Sequence, residues 1–323
     1  MTPPEPLIIV VALLLDLLIG DPRWFPHPVV AAGKLISALD DRLRLPWLDE
    51  KIAGVLLLVA VVGAMMGGGY LLLRLCAGIH PLAGITASVI LCFSCLAVRS
   101  LHVESGRVAE ALRSGDIVAA RHNLSWIVGR DTDALDEPEI WRALVETVAE
   151  NSSDGIIAPL FWLTLGGPLA ALAFKGVSTL DSMVGYKNER YLQMGWASAR
   201  MDDLLNFIPA RLTALLMICA APLAGCSARG AFRIVLRDRL KHPSPNSAHP
   251  EAAAAGALGV QLGGVSTYSG VTSLKEHIGD PHRPLDGTSY DRMIKLMYIS
   301  TLLMAAACTG AAFSLRGFGA PIF

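Results

Sequence analysis

Residues 52–73 read IAGVLLLVAVVGAMMGGGYLLL, an apolar run without a single charge. A helix rises about 1.5 Å per residue, so about 20 such residues cross a ~30 Å hydrocarbon core. Residues 296–315 (LMYISTLLMAAACTGAAFSL) meet the same condition, and residues 82–98 nearly do; the latter pair with 52–73 as a hairpin through His80-Pro81. Composition agrees with a membrane setting: 53% of the chain is apolar and 17% charged, against roughly a quarter charged in soluble domains. Hydrophobicity this high excludes disorder. The 27 basic and 28 acidic residues leave a net charge of -1, which offers no nucleic-acid surface.

Three further apolar runs are less regular. Leu7–Gly20 is short and contains Asp16, whose mid-helix charge is costly unless it faces protein. It lacks the basic start and small-residue cleavage site of a secretory signal, so a retained helix is expected. Residues 156–174 are interrupted at Gly166-Gly167-Pro168, and residues 212–226 contain Pro222; Gly and Pro end or kink helices. These two are full spans or re-entrant half-helices. Most Lys and Arg lie in 21–51, 99–155 and 227–295, which the positive-inside rule places in the cytoplasm. A re-entrant pair would keep 175–211 on that side too.

The expected architecture is therefore all-α: one polytopic integral membrane domain over residues 1–323. Its spans lie near 7–20, 52–73, 82–98 and 296–315, and helical polar segments occupy 99–155, 175–211 and 227–295. The six cysteines, Cys92-x-x-Cys95 included, sit in or beside apolar runs and read as packing residues.

The polar segments carry the chemistry. Asp116 caps one helix start, and Asp136-Glu137-Pro138-Glu139 opens another. Between them lies Val128-Gly129-Arg130-Asp131-Thr132, which fits a solvated turn as well as a phosphate contact. In ETVAENSSDGIIAP, Glu146 and Glu150 share a helix face, and Asn151 and Asp154 follow at the mouth of an apolar run. Magnesium takes such carboxylate oxygens together with waters or phosphates. In LDSMVGYKNERYLQMGWASARMDDLLNFIPAR, Asp202, Asp203 and Asn206 form a second acid cluster, a weak signal alone. Arg200 and Arg211 flank it, and Asp181, Lys187 and Arg190 precede it. Charges beside membrane helices point to a paired or functional site. In KHPSPNSAHPEAAAAGALGVQLGG, prolines stiffen a loop bearing Lys241, His242, Ser244, Asn246 and His249 ahead of Glu251 and an Ala-rich helix. A helix N-terminus is a ready anion site, although a simple rigid loop explains the prolines too. No Walker A loop is present.

The runs DLLIGDPRWFPHPV, VGRDT, ETVAENSSDGIIAPLFW, TLDSMVGYKNERY, ASARMDDLLNFIPARL and HPSPNSAHPEAAAAGALGVQLGG, in this order from Asp16 to about Tyr298, resemble the CobD/CbiB family of cobalamin biosynthesis, adenosylcobinamide-phosphate synthase. The resemblance implies an integral enzyme of the cell (inner) membrane with cytoplasmic catalytic loops. It would join a carboxylate of adenosylcobyric acid to the amine of aminopropanol or its phosphate, using ATP and Mg2+. It also implies other cobalamin-assembly enzymes as partners. A carboxylate needs activation before an amine attacks it, and phosphoryl transfer needs metal ligands, cationic clamps and a base.

On that reading Glu150, Asp154, Asp202, Asp203 and Asp181 hold magnesium. Lys187, Arg190, Arg130 and Arg211 clamp phosphates, and His242 or His249 is the base. Asp21, Arg23 and His27 bind corrinoid amides or the amino-alcohol phosphate. Asp131, Arg200, Ser244, Asn246 and Glu251 complete the substrate contacts. Trp24 and Trp196 pack on the corrin or anchor at the interface. Three other classes compete. A CDP-alcohol phosphotransferase also puts acids at membrane-helix ends, but its D-G-x-x-A-R pattern has no Arg after Asp154-Gly155 here. A transporter would suit the broken helices, but no internal repeat is visible and the polar loops are long. A structural membrane subunit would tolerate alanine across the acid clusters.

Overall fold

The computed structural model describes residues 6–22, 24, 26–186, 188–268 and 270–317. In chain order its helices are α1 (Pro6–Ile19), α2 (Pro28–Asp40), α3 (Glu50–Ile79), α4 (Pro81–Phe93), α5 (Val98–Arg113), α6 (Ile117–Ser125), α7 (Glu137–Ser152), α8 (Ala158–Val184), α9 (Trp196–Leu205), α10 (Phe207–Ala220), α11 (Ala228–Asp238), α12 (Ala248–Leu258) and α13 (Gly287–Gly317). A π-helical turn, Ser153–Ile157, joins α7 to α8. Between α12 and α13 lies one antiparallel hairpin, β1 (Gln261–Tyr268) and β2 (Val271–Gly279).

Four helical stretches are long and apolar enough to cross a membrane: Glu50–Ile79, Pro81–Arg113, Glu137–Val184 and Gly287–Ser314. A fifth forms if α9 and α10, a broken pair, count as one span. The protein is thus a polytopic helical membrane protein. The His80 turn is as expected: its Nδ1 accepts from Leu82 N at 3.1 Å and starts α4, while its own N–H closes α3 on Cys76. The expected helix starts at Asp116 and Asp136 are also present, the second as a full capping box with Glu139.

Two expectations change. The break at Gly166-Gly167 is real, with Gly167 at φ 69°, but the chain resumes its helix at once and runs to Val184 rather than stopping near residue 174. Residues 261–279, taken within a helical polar segment, form the hairpin instead. Their alternating β-branched and polar residues around Gly270 suit strands better than a helix.

The chain divides into two compact units. The first comprises residues 1–97, 158–206 and 305–323, and the second residues 98–157 and 207–304. The core of the first unit packs α2, α3, α8 and α9 through Ile36, Leu57, Val61, Leu180 and Ala197. An apolar cavity of about 270 Å3 beside it is lined by Ala31, Leu35, Met65, Gly69, Leu91 and Leu172. Asp16 is fully buried on α1.

The second unit is built around α12. Its Ala252–Ala255 run is entirely buried, and small side chains let α10 and α11 approach closely. At Gly256 a Cβ would strike the Gly230 carbonyl and Ala231 Cα of α11. Backbone atoms cannot yield as a flexible side chain can. Gly256→Ala is therefore expected to cost about 1–3 kcal/mol or more, in the range of core overpacking. Thermal unfolding in detergent checks this, and an unchanged transition would contradict the close packing.

Candidate functional site

In the second unit the loop before α7, two turns of α7, the first turn of α12 and the hairpin bring charged side chains into one buried cluster. Arg130 Nη2 donates to Glu146 Oε2 at 2.6 Å, with both side chains over nine-tenths buried. The other Glu146 oxygen accepts from Gly263 N at 2.7 Å. Gly263 sits where the hairpin register breaks, at φ 85°. A side chain there would be strained, and its Cβ would meet the Glu276 carbonyl. Arg142, one turn before Glu146, donates to the Gly263 and Val265 carbonyls. The helix thereby grips the hairpin with an acid and a base four residues apart.

That grip aims Lys275 inward. Burial works against its charge, yet Tyr268, Glu251, Glu150 and Glu146 hold its pKa above the usual lysine value. Glu150 Oε1 accepts from Ser247 Oγ at 2.8 Å, where the loop enters α12. Glu251, in the first turn of α12, is 4% exposed. Burial, with Glu146 and Glu150 nearby, pushes its carboxyl well above the usual range, against Lys275 and Arg130. Once Glu251 holds its proton, two carboxylates face two cations. His242 Nδ1 accepts from Ser244 N at 3.0 Å. Burial, then the Lys275 ammonium, push this ring down to about 4. The neutral ring with Nδ1 occupied carries its proton on Nε2, and that nitrogen is buried without a partner among the described residues. Arg130 Nη1 is likewise buried and unpartnered among them. Two unpartnered donors beside buried carboxylates make a polar site for a charged ligand.

The state of Glu251 has a consequence for stability. Its folded pKa lies above its ordinary 4.5, so this contribution is full below that value and is lost as pH rises through the folded pKa. Glu251→Gln keeps the shape of the protonated acid and removes that loss. Melting curves from about pH 5 to about pH 9 should fall less steeply for the variant than for the wild type. Parallel curves would contradict a protonated Glu251.

The remaining sequence candidates are placed as follows. Asp131 N–H donates to Thr267 O and its Oδ2 accepts from Gly270 N, both at 2.8 Å, so it holds the hairpin turn. Ser244 Oγ accepts from Asn246 N at 3.2 Å and orders the loop before α12. Arg211 Nη1 donates to Asn246 Oδ1 at 3.3 Å. His249 is buried. Asp154 lies in the π-helical turn, a feature frequent at functional sites.

In the first unit, His27 caps α2 and its Nε2 lies 3.3 Å from Asp21. Arg190 is held by Asp40 at 2.8 Å and Asp41 at 2.7 Å, with Tyr191 OH also donating to Asp40. Asp202 Oδ2 accepts from Asn206 Nδ2 at 3.0 Å, with Asp203 beside it on α9 and Arg200 exposed one turn earlier. Asp181 is in the last turn of α8. Arg23 and Lys187 lie outside the described residues. No three His, Cys, Asp or Glu side chains among the described residues form a ready-made metal cage. Magnesium, which commonly takes one or two carboxylates plus phosphate oxygens, does not need one.

Lys275 and the double role of Glu146 were not read from the sequence. The usable signal for Lys275 was strand alternation: inward Ser273 and Lys275 against outward Leu274.

These features define a class: a polytopic membrane protein with a buried, charge-balanced polar site. The CobD/CbiB protein family profile matches residues 9–297, and the chain belongs to that family. It is 62% identical to the cobalamin biosynthesis protein CobD of Pelobacter propionicus over 98% of both chains. It is 47% identical to the cobalamin biosynthesis protein CbiB of Salmonella typhimurium, over 95% of this chain and 97% of that one. Against the CobD of Clostridium tetani the identity is 43%, over 95% of this chain and 98% of the relative. No solved structure matches. The family places the chain in cobalamin biosynthesis.

Proposed function

We propose that this protein is an ATP-dependent amide ligase that joins adenosylcobyric acid to aminopropanol or aminopropanol phosphate, giving adenosylcobinamide or its phosphate. The observation that carries the reading is the buried cluster of Arg130, Glu146, Glu150, Glu251, Lys275 and His242, with two donors left unpartnered among the described residues. Amide formation from a carboxylate needs an anion activated and an amine deprotonated within one enclosed site.

In this mechanism the substrate carboxylate oxygen attacks the terminal phosphorus of ATP, and ADP leaves. The amine nitrogen then attacks the acyl carbon, and inorganic phosphate leaves with one former carboxylate oxygen. Arg130 Nη1, Lys275 and the His242 Nε2 proton would face the phosphoryl oxygens. An effective base has a pKa near the working pH, and both His242 and His249 are held at about 4. That argues against the imidazoles, and the proton-acceptor role is given to the Glu150 carboxylate on position alone, beside Ser247 Oγ and the Lys275 ammonium. The candidate acid for Mg2+, which would neutralise phosphate charge, is Asp154 in the second unit; within the first unit Asp202 and Asp203, with Asp181, form a separate candidate set. Asp21, Arg23, His27, Arg190 and Lys187 remain candidates for the corrinoid and amino-alcohol contacts. The polar segments would lie on the cytoplasmic face of the inner membrane, within reach of other cobalamin-assembly enzymes.

The test is product formation by the purified, detergent-solubilised chain given adenosylcobyric acid, aminopropanol phosphate, ATP and Mg2+, read by mass spectrometry. Amide together with ADP is expected. Amide with AMP would replace the acyl phosphate by an adenylate. No amide from correctly folded protein would reject the ligase reading.

A further inference from the structure

The first turn of α12 has two chemically opposite sides. His249 and Glu251 are two residues apart, which on a helix places them roughly 200° around the axis from each other. Their surroundings differ accordingly. Glu251 faces the glutamates with Lys275 and Arg130. His249 is pushed down to about 4 by burial and then by Arg211 and Arg239. Arg211 comes from α10, where its guanidinium stacks on Phe207 and donates to Asn246 Oδ1. Arg239 caps the C-terminus of α11 and donates to the Leu236 carbonyl.

Neither guanidinium makes an ion pair among the described residues. His249 is 5% exposed, and its Nε2 is buried without a partner among those residues. Two guanidinia brought together without a carboxylate repel each other, so an anion between them lowers the energy of the arrangement. The unpartnered imidazole nitrogen and the N-terminus of α12 add to the same attraction.

We propose that Arg211, Arg239, Asn246 and His249 form an oxyanion subsite that takes an anionic phosphate group, on the side of α12 opposite the glutamate cluster. This deepens the ligase reading and rests on it for the identity of the ligand. Helix α12 then divides the work. Its Glu251 side faces the group undergoing activation, and its His249 side anchors a phosphate that is not transferred. Two sources share this chemistry: the phosphate of the amino-alcohol phosphate, and the phosphate chain of the nucleotide.

Binding to full-length protein in detergent, read by phosphorus NMR without turnover, tests the subsite. The probes are aminopropanol phosphate, ATP and inorganic phosphate, with unphosphorylated aminopropanol competing in a separate series. Arg239→Gln and Arg211→Gln are each expected to weaken a phosphate probe about tenfold or more, the loss typical of one charge-assisted hydrogen bond. Arg113→Gln is expected to leave that affinity within about twofold, since this guanidinium is paired with Asp291 and belongs to neither cluster.

Weakening confined to aminopropanol phosphate assigns the subsite to the amino alcohol. Weakening confined to ATP assigns it to the nucleotide. Unchanged affinities in arginine variants that elute and melt as wild type would overturn the subsite. So would failure of every phosphate probe to bind the wild type. The two ideas fail separately. Amide product with unchanged phosphate binding in the variants keeps the ligase and rejects the subsite. Arginine-dependent phosphate binding without amide product keeps the subsite and rejects the ligase.

Discussion

Replacing Arg130 with Met destabilises the second unit by about 3–5 kcal/mol, the cost of leaving one partner of a buried ion pair alone. The side chains of Arg130 and Glu146 are 8% and 5% exposed, and they meet at 2.6 Å. Without the guanidinium, Glu146 loses its ion-pair partner and keeps the Gly263 N–H, with the Lys275 ammonium nearby. The effect spreads, because Glu146 holds the hairpin that delivers Lys275. Chemical denaturation in mixed micelles should show the loss, and the double variant Arg130→Met/Glu146→Gln should recover much of it, since the stranded charge is gone. A single variant that unfolds within about 1 kcal/mol of the wild type would mean that the pair is solvated and unimportant.

If Asp203 holds the metal as proposed, Asp203→Asn is expected to lower turnover at least about a hundredfold while the protein remains folded and inserted, the loss of a group stabilising developing charge. Asp203 and Asp202 sit side by side on α9, and Asp202 is fixed by Asn206 at 3.0 Å. The substitution exchanges one anionic carboxylate oxygen for a neutral amide oxygen and so weakens the hold on a metal ion. Raising Mg2+ should restore part of the rate in the variant and leave the wild-type rate at its plateau. Wild-type turnover in the variant would remove the acid pair on α9 from the metal assignment.

The parts of the fold that the sequence made legible are those governed by local rules. An uncharged run such as 52–73 has one stable placement in a membrane, and Asp136 with Glu139 caps a helix wherever it lies. Extents were harder to read. α8 continues past Gly166-Gly167 to Val184 because only those two residues leave helical geometry, and Pro168 directly after them suits the first turn of a resumed helix. The hairpin stayed hidden because its outer residues Val265, Val271 and Leu274 are exposed. Alternation that turns polar residues inward and apolar ones outward is a faint signal.

The candidate site shows the same division. Glu146 and Glu150 were visible as a pair on one helix face. Their partners were not: Arg130 lies in a loop sixteen residues from Glu146, and Gly263 and Lys275 are on a distant hairpin. The histidines illustrate a second limit. Residue type made them natural bases, but burial and neighbouring cations hold both rings at about 4. The His249–Glu251 spacing encodes two opposed faces, yet only the packing of α10 and α11 reveals what each face meets.

The most direct test of the central claim follows an atom. Adenosylcobyric acid labelled with oxygen-18 in its free carboxylate is supplied with aminopropanol phosphate, ATP and Mg2+ to the purified chain. Acyl-phosphate ligation predicts one labelled oxygen in the released inorganic phosphate for each amide formed. Amide formation with the label in AMP, or with no label in any phosphorus product, would contradict it.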